Sequence, residues 1–146
     1  MTRVLVCGGR NYWNRKRVAE VLDAGHRKLN FSLVIQGGAG GADLLASEWA
    51  GRRGVLLTTY RADWRRLGKS AGPTRNRRML AEGRPDIVVA FPGGRGTRSM
   101  VEIAREAGVR VVEVPSDPPL FSVRNGARPG ALYAPLSTAT NSTSSS

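Results

Sequence analysis

Residues 86–108 read DIVVAFPGGRGTRSMVEIAREAG. Three textures follow one another in that stretch. Asp86–Phe91 is a nearly continuous run of valine, isoleucine and other apolar residues, the composition of a strand buried on both faces. Pro92–Thr97 places three glycines within four positions, 93–96. Glycines are placed where the backbone takes unusual dihedrals or where another group comes close. From Thr97 to Ala107 the apolar positions recur at helical spacing, and Gly108 follows as a C-terminal cap. A strand, a glycine turn and a helix make the repeating unit of a sheet covered by crossover helices.

The same unit recurs along the chain. RVLVC (3–7), FSLVIQ (31–36), VLLTTY (55–60) and RVVEVP (110–115) read as further strands. Residues 14–28 place Val18, Val21 and Leu22 on one helical face, with Asn14 as N-cap. Residues 42–53 place Leu45, Trp49 and Arg52 at helical spacing, and residues 73–82 open on Pro73, a residue favoured at a first helical position. The expected fold is α/β, a Rossmann-like three-layer sandwich with a mainly parallel five-stranded sheet. Residues 116–146 break the alternation with SDPP, ARPG and STATNSTSSS. They read as a disordered tail, which leaves residues 1–115 as the folded domain.

A length of 146 residues fits one such domain, and 40% hydrophobic residues suffice for its core. Cys7 is the single cysteine, so an internal disulfide is impossible and a reducing compartment is expected. The apolar run in MTRVLVCGGR is too short for a signal peptide or a membrane span. The expectation is a cytoplasmic protein with no membrane partner. The net charge of +12 points to anionic partners, among them nucleotides and nucleic acid. All but Arg124 and Arg128 of the 23 Lys and Arg residues fall in 1–115.

Three expected strands end in glycine: the first in Gly8-Gly9-Arg10, the second in Gly37-Gly38 and on to Asp43, the fourth in Pro92-Gly93-Gly94-Arg95-Gly96-Thr97. In an open parallel sheet ligands bind beyond the carboxyl ends of the strands. Two of these loops run into helices, whose first backbone N–H groups and dipole attract phosphate. No Walker lysine follows any loop, and G-x-G-x-x-G is absent. No His, Cys, Asp or Glu cluster has metal-ligand spacing, and the lone histidine, His26, lies far from the loops. Neither a metal nor a resident cofactor is expected.

These loops, with RNRRM (75–79) on the helix before the fourth strand, resemble the SLOG superfamily. That group includes the Lonely-Guy phosphoribohydrolases and the core of the DNA-processing protein Smf/DprA. The pattern is most similar to the small YspA/YpsA-related branch, which has GGR or GSR after the first strand, GGAxGAD after the second, GPxRNxxM before the fourth and FPGGxGT after it. All are present here: Gly8-Gly9-Arg10, Gly37 to Asp43, Gly72-Pro73 with Arg75-Asn76 and Met79, and Phe91 to Thr97. The resemblance covers residues 3–115.

It implies a nucleotide-derived ligand held by the glycine loops, by Arg10 and Arg75, and by Asn76 as a reader of base or ribose. It also implies a homodimer or larger homo-oligomer. In the Lonely-Guy enzymes P-G-G-x-G-T-x-E-E works with an arginine to cleave the N-glycosidic bond of a nucleoside monophosphate. Arg75 matches that arginine, while Ser99 and Met100 occupy the glutamate positions. A carboxylate is needed to stabilise an oxocarbenium-like state or to activate water. Glu102 and Asp43 are the remaining candidates beside Arg75. The expected functions are therefore a nucleotide sensor or processing enzyme, a phosphoribohydrolase, or a single-stranded nucleic acid module. Few aromatic residues, 6%, disfavour the last.

Overall fold

A computed structural model of the chain describes residues 1–117. The expected tail lies, from residue 118 on, outside the described residues. Five strands and five α-helices alternate in order: β1 (Thr2–Cys7), α1 (Arg15–Leu29), β2 (Phe31–Gln36), α2 (Ala42–Arg53), β3 (Leu56–Thr59), α3 (Trp64–Leu67), α4 (Ala71–Gly83), β4 (Ile87–Ala90), α5 (Arg95–Glu106) and β5 (Arg110–Glu113). The sheet order is β3-β2-β1-β4-β5, and every pairing is parallel. Strand order reverses between β1 and β4, which makes that boundary the switch point of a doubly wound sheet.

Alternation along each strand divides the interior in two. Val4 and Val6 of β1 point to one face and pack with Val34, Val18 and Leu22 of α1, and Leu45 and Trp49 of α2. Leu5 and Cys7 point to the other face and pack with Ile35, Val88, Met79 of α4, and Met100 and Ala104 of α5. Central strands covered on both sides need apolar residues at every position, the continuous run visible in the sequence. Outer strands are covered less: Leu56 on β3 is 73% exposed.

Local signals set most helix ends. Asn14 Oδ1 accepts from the Arg17 amide at 3.0 Å and caps α1 as expected. Gly108, with φ +80°, donates its amide to the Arg105 carbonyl and stops α5. Two starts differ from expectation. Helix α4 begins at Ala71, so Pro73 sits inside its first turn, where a missing N–H costs no helical bond. Helix α5 begins at Arg95 within the glycine loop. Residues 64–70, between the third expected strand and the helix from Pro73, form α3 and a 3-10 turn; Asp63 accepts from the Arg66 amide to start them.

Trp49 is fully buried, and its Nε1 donates to Asp23 of α1 at 2.9 Å. Arg53 donates to both oxygens of the same carboxylate. His26 stands edge-on to Trp49 and accepts the Phe31 amide on Nδ1, a packing role absent from the sequence reading. Arg53 first, then Trp49, pulls the Asp23 carboxyl down from 3.8 to about 2. A depressed carboxyl adds stability that is complete above its ordinary value and is lost as pH falls through the depressed one. Denaturant titrations between pH 4 and pH 2 are expected to show Asp23→Asn losing stability less steeply than the native chain.

Candidate functional site

The loops that follow β1, β2 and β4 meet at the carboxyl edge of the sheet and enclose a cleft of about 570 Å³. Hydrogen bonds between backbones fix them to one another. The Gly9 amide donates to the Pro92 carbonyl at 2.8 Å, which ties the first loop to the third. The Gly9 carbonyl accepts from Tyr12 and from Ala42, each at 3.1 Å, which ties it to the start of α2.

Glycine has different causes at different positions of the third loop. A Cβ on Gly93 would stand 2.2 Å from Thr97 Oγ1 and 2.7 Å from the Gly9 amide nitrogen, so packing of the loop alone requires glycine. A Cβ on Gly94 or Gly96 would meet nothing within 4 Å. Both line the cleft. Packing therefore does not require glycine at either position.

Gly94 is the N-cap of α5 and supplies no side-chain cap. The amides of Arg95, Gly96 and Thr97 have no acceptor among the described residues. They form an open end of a 12-residue helix at the cleft wall. The positive end of the helix dipole and these free donors favour an anion there.

Arg75 on α4 reaches across the sheet edge. Its Nη1 donates to the Gly37 carbonyl at 2.7 Å and its Nε to Asn76 Oδ1 at 3.0 Å. A Cβ on Gly37 would lie 2.3 Å from Nη1, so the bare second loop is the bed of this guanidinium. Nη2 has no partner among the described residues, and Arg75 lines the cleft. Asn76 is 5% exposed and donates Nδ2 to the Gly96 carbonyl at 3.4 Å. Asn76 thereby joins Arg75 to the α5 turn.

Arg10 and Arg95 also line the cleft, and the lining contains one carboxylate, Asp43. Burial and the nearby Arg10 charge push the Arg75 guanidinium down, while Asp43 supports it. Asp43 is 5% exposed, and its Oδ2 accepts from the amides of Gly37 and Ala39, both at 3.1 Å. Burial raises its carboxyl against the pull of those amides and of Arg75. Cys7 forms part of the floor, and burial pushes its thiol up to about 12, far from a reactive thiolate.

Among the expected ligand residues, the cleft lining includes Gly8, Gly9, Arg10, Gly37, Asp43, Arg75, Asn76 and the whole run Pro92–Thr97. Gly38 is outside it; its amide donates to Gln36 Oε1 and its carbonyl accepts from Arg61. Glu102 is outside as well. It is exposed on α5, and the neighbouring turn of that helix presents Met100 to the cleft instead. Asn11, Tyr12, Ala39 and Met79 line the cleft without having been singled out as ligand residues. Met79 was legible, because it follows Arg75 by four residues on one helix and shares its face.

The cationic, glycine-lined cleft lies at the switch point of a doubly wound α/β sheet, the place where such sheets bind their ligands. A family model for YAcAr, the YspA, cpYpsA-related SLOG family, matches residues 2–67. The chain is also 40% identical over 126 residues to the Gene 61 protein of Mycobacterium phage D29, an alignment spanning 81% of this chain and 100% of that protein. The chain belongs to the YspA, cpYpsA-related SLOG family. The family-model match takes in the first two glycine loops; Arg75 and the third loop follow it. Among the described residues no helix is long and apolar enough to cross a membrane, and no group of His, Cys, Asp or Glu could hold a metal.

Proposed function

We propose that the cleft binds a nucleotide or nucleotide-derived ligand, with a phosphate on the open turn Arg95–Thr97 between Arg75 and Arg10. The carrying observation is that packing does not require glycine at Gly94 and Gly96, beside three amides and an arginine nitrogen that have no partner among the described residues. Asn76 sets the guanidinium in place relative to the turn. The protein serves as a sensor of that ligand or processes it, working as a homodimer or larger assembly inside the cell.

The test is a thermal-shift screen of nucleoside mono-, di- and triphosphates, ribose 5-phosphate, ADP-ribose, NAD and short single-stranded DNA. A ligand at 100 times its dissociation constant stabilises the fold by about 2.7 kcal/mol. Gly94→Ala is expected to leave the ligand-free melting temperature within a degree or two of the native value and to reduce the nucleotide shift. Gly94→Asp is expected to abolish the shift, because it puts a carboxylate where the phosphate belongs. Indifference of the native protein to every nucleotide at millimolar concentration would end the proposal.

A Lonely-Guy-like hydrolysis is disfavoured by Ser99 and Met100 at the glutamate positions and by the placement of Glu102. Asp43 is the one carboxylate in the cleft lining that could serve such chemistry. Release of free base from a nucleoside monophosphate would restore that reading. A nucleic-acid role draws support from Trp64, 52% exposed beside Arg65, Arg66 and Lys69. It predicts DNA binding that falls steeply with salt.

A further inference from the structure

Asp43 presents two oxygens in different situations. Oδ2 takes both available loop amides, from Gly37 and Ala39. Oδ1 has no donor among the described residues. The residue is only 5% exposed, and it lines the cleft. A buried carboxylate oxygen without a donor is costly, and native proteins rarely leave one so. Arg75 acts on Asp43 through charge but donates its hydrogen bonds to Gly37 and Asn76. Asp43 lines the cleft, so the vacant acceptor is the one left for a ligand.

Its surroundings restrict what can fill it. The rest of the cleft is cationic, with Arg10, Arg75, Arg95 and the open α5 turn. An anionic group therefore goes to that side and is repelled by Asp43. The group that meets Asp43 must donate hydrogen bonds. A ligand that joins an anion to neighbouring hydroxyl donors satisfies both halves, and a ribose phosphate is the smallest nucleotide part that does so.

We infer that Asp43 is the sugar-recognising residue of this cleft, its Oδ1 accepting from the 2′- or 3′-hydroxyl of a ribonucleotide whose phosphate rests on the α5 turn. This rests on the phosphate reading above and adds the choice of ribose over deoxyribose. Asp43 has two tasks on one side chain. Oδ2 holds the loop after β2 in shape, and Oδ1 reads the sugar.

The isosteric change Asp43→Asn separates the tasks. The asparagine oxygen still accepts the two loop amides, while its NH₂ group cannot accept from a hydroxyl. Calorimetric titration would compare the four ribonucleoside 5′-monophosphates with their 2′-deoxy and 2′,3′-dideoxy counterparts on both proteins. A hydrogen bond to a charged acceptor is worth about tenfold or more in affinity. The native protein is expected to bind its preferred ribonucleotide at least about tenfold tighter than the dideoxy form. Asp43→Asn is expected to lose most of the ribo-over-dideoxy preference, with the dideoxy affinity undiminished or raised by loss of the repelling charge. Equal binding of ribo and dideoxy forms by the native protein overturns the inference and leaves the phosphate cradle standing. Equal weakening of both forms in Asp43→Asn reduces Asp43 to a loop clamp and also overturns it. Failure of every monophosphate to bind removes the cradle and the inference together. If Asp43→Asn does not fold, the native ribo-to-dideoxy ratio decides alone.

Discussion

Arg75→Ala is expected to fold and to lose the nucleotide-induced thermal shift. The guanidinium has one nitrogen on the Gly37 carbonyl, one on Asn76 Oδ1, and a third without a partner among the described residues, in a residue that lines the cleft. Removing it takes away a charge-assisted contact to phosphate worth about 1.5–3 kcal/mol, or about 10- to 150-fold in affinity. The cost to folding is smaller. The two intramolecular bonds run to neutral oxygens, and water entering from the open cleft replaces the guanidinium there, so each is expected to cost about 1 kcal/mol. Arg75→Lys is the informative companion. It keeps the charge but has a single ammonium in place of a planar fork, so it cannot hold Gly37 and Asn76 and still face the ligand. Its affinity is expected to fall between those of the native chain and Arg75→Ala. Undiminished binding by Arg75→Ala, measured by calorimetry with the ligand found in the screen, would move the phosphate site off this residue.

Gly41→Ala is expected to damage folding more than any change to the bare glycines of the third loop. Gly41 has φ +64° and ψ −125°, a region open to glycine almost alone. A Cβ there would lie 2.2 Å from the Gly9 carbonyl oxygen and 2.5 Å from the Arg10 carbonyl carbon, both backbone atoms. Relief requires pushing the first loop away from α2, which breaks the bond from the Ala42 amide to Gly9 and loosens the one from Gly9 to Pro92. Strain of about 1–3 kcal/mol from the dihedral adds to the lost contacts, so a total near 3–5 kcal/mol is expected. Urea titration of Gly41→Ala beside Gly94→Ala checks this. Similar midpoints for the two would contradict the division of glycines into those the fold needs and those it leaves free.

That division could not be read from the sequence. GGAGGAD contains four glycines, and nothing in the letters distinguishes Gly41, held at positive φ against another loop, from Gly37, flattened beneath a guanidinium. Both contacts join residues distant along the chain. The strands were legible for a simple reason: β1, β2 and β4 are covered on both faces, so their apolar runs are nearly unbroken. Asn14 and Gly108 announced their caps through local chemistry. Helix α3 was hidden, because four residues are too few to show a period. The cleft's membership was largely legible, since glycine turns at parallel strand ends must share one edge of the sheet. Roles within it were less so. Asp43 looks from sequence like a helix-start carboxylate, whereas its Oδ2 is occupied by amides four and six residues earlier. Glu102 shows the opposite limit: a carboxylate near a motif in sequence can sit on the far side of its helix.

The ties among Gly9, Pro92, Tyr12 and Ala42 also bear on how quickly a ligand can come and go. Loops that close over a ligand must be ordered at the moment of binding, and that loss of freedom weakens the complex. Here the ordering belongs to folding, because the walls are stitched backbone to backbone before any ligand arrives. Encounter then resembles docking onto a surface whose loops are already joined, drawn in by a positive field. Ligands that differ by one hydroxyl would arrive at nearly the same rate, and discrimination among them would reside in how long each one stays.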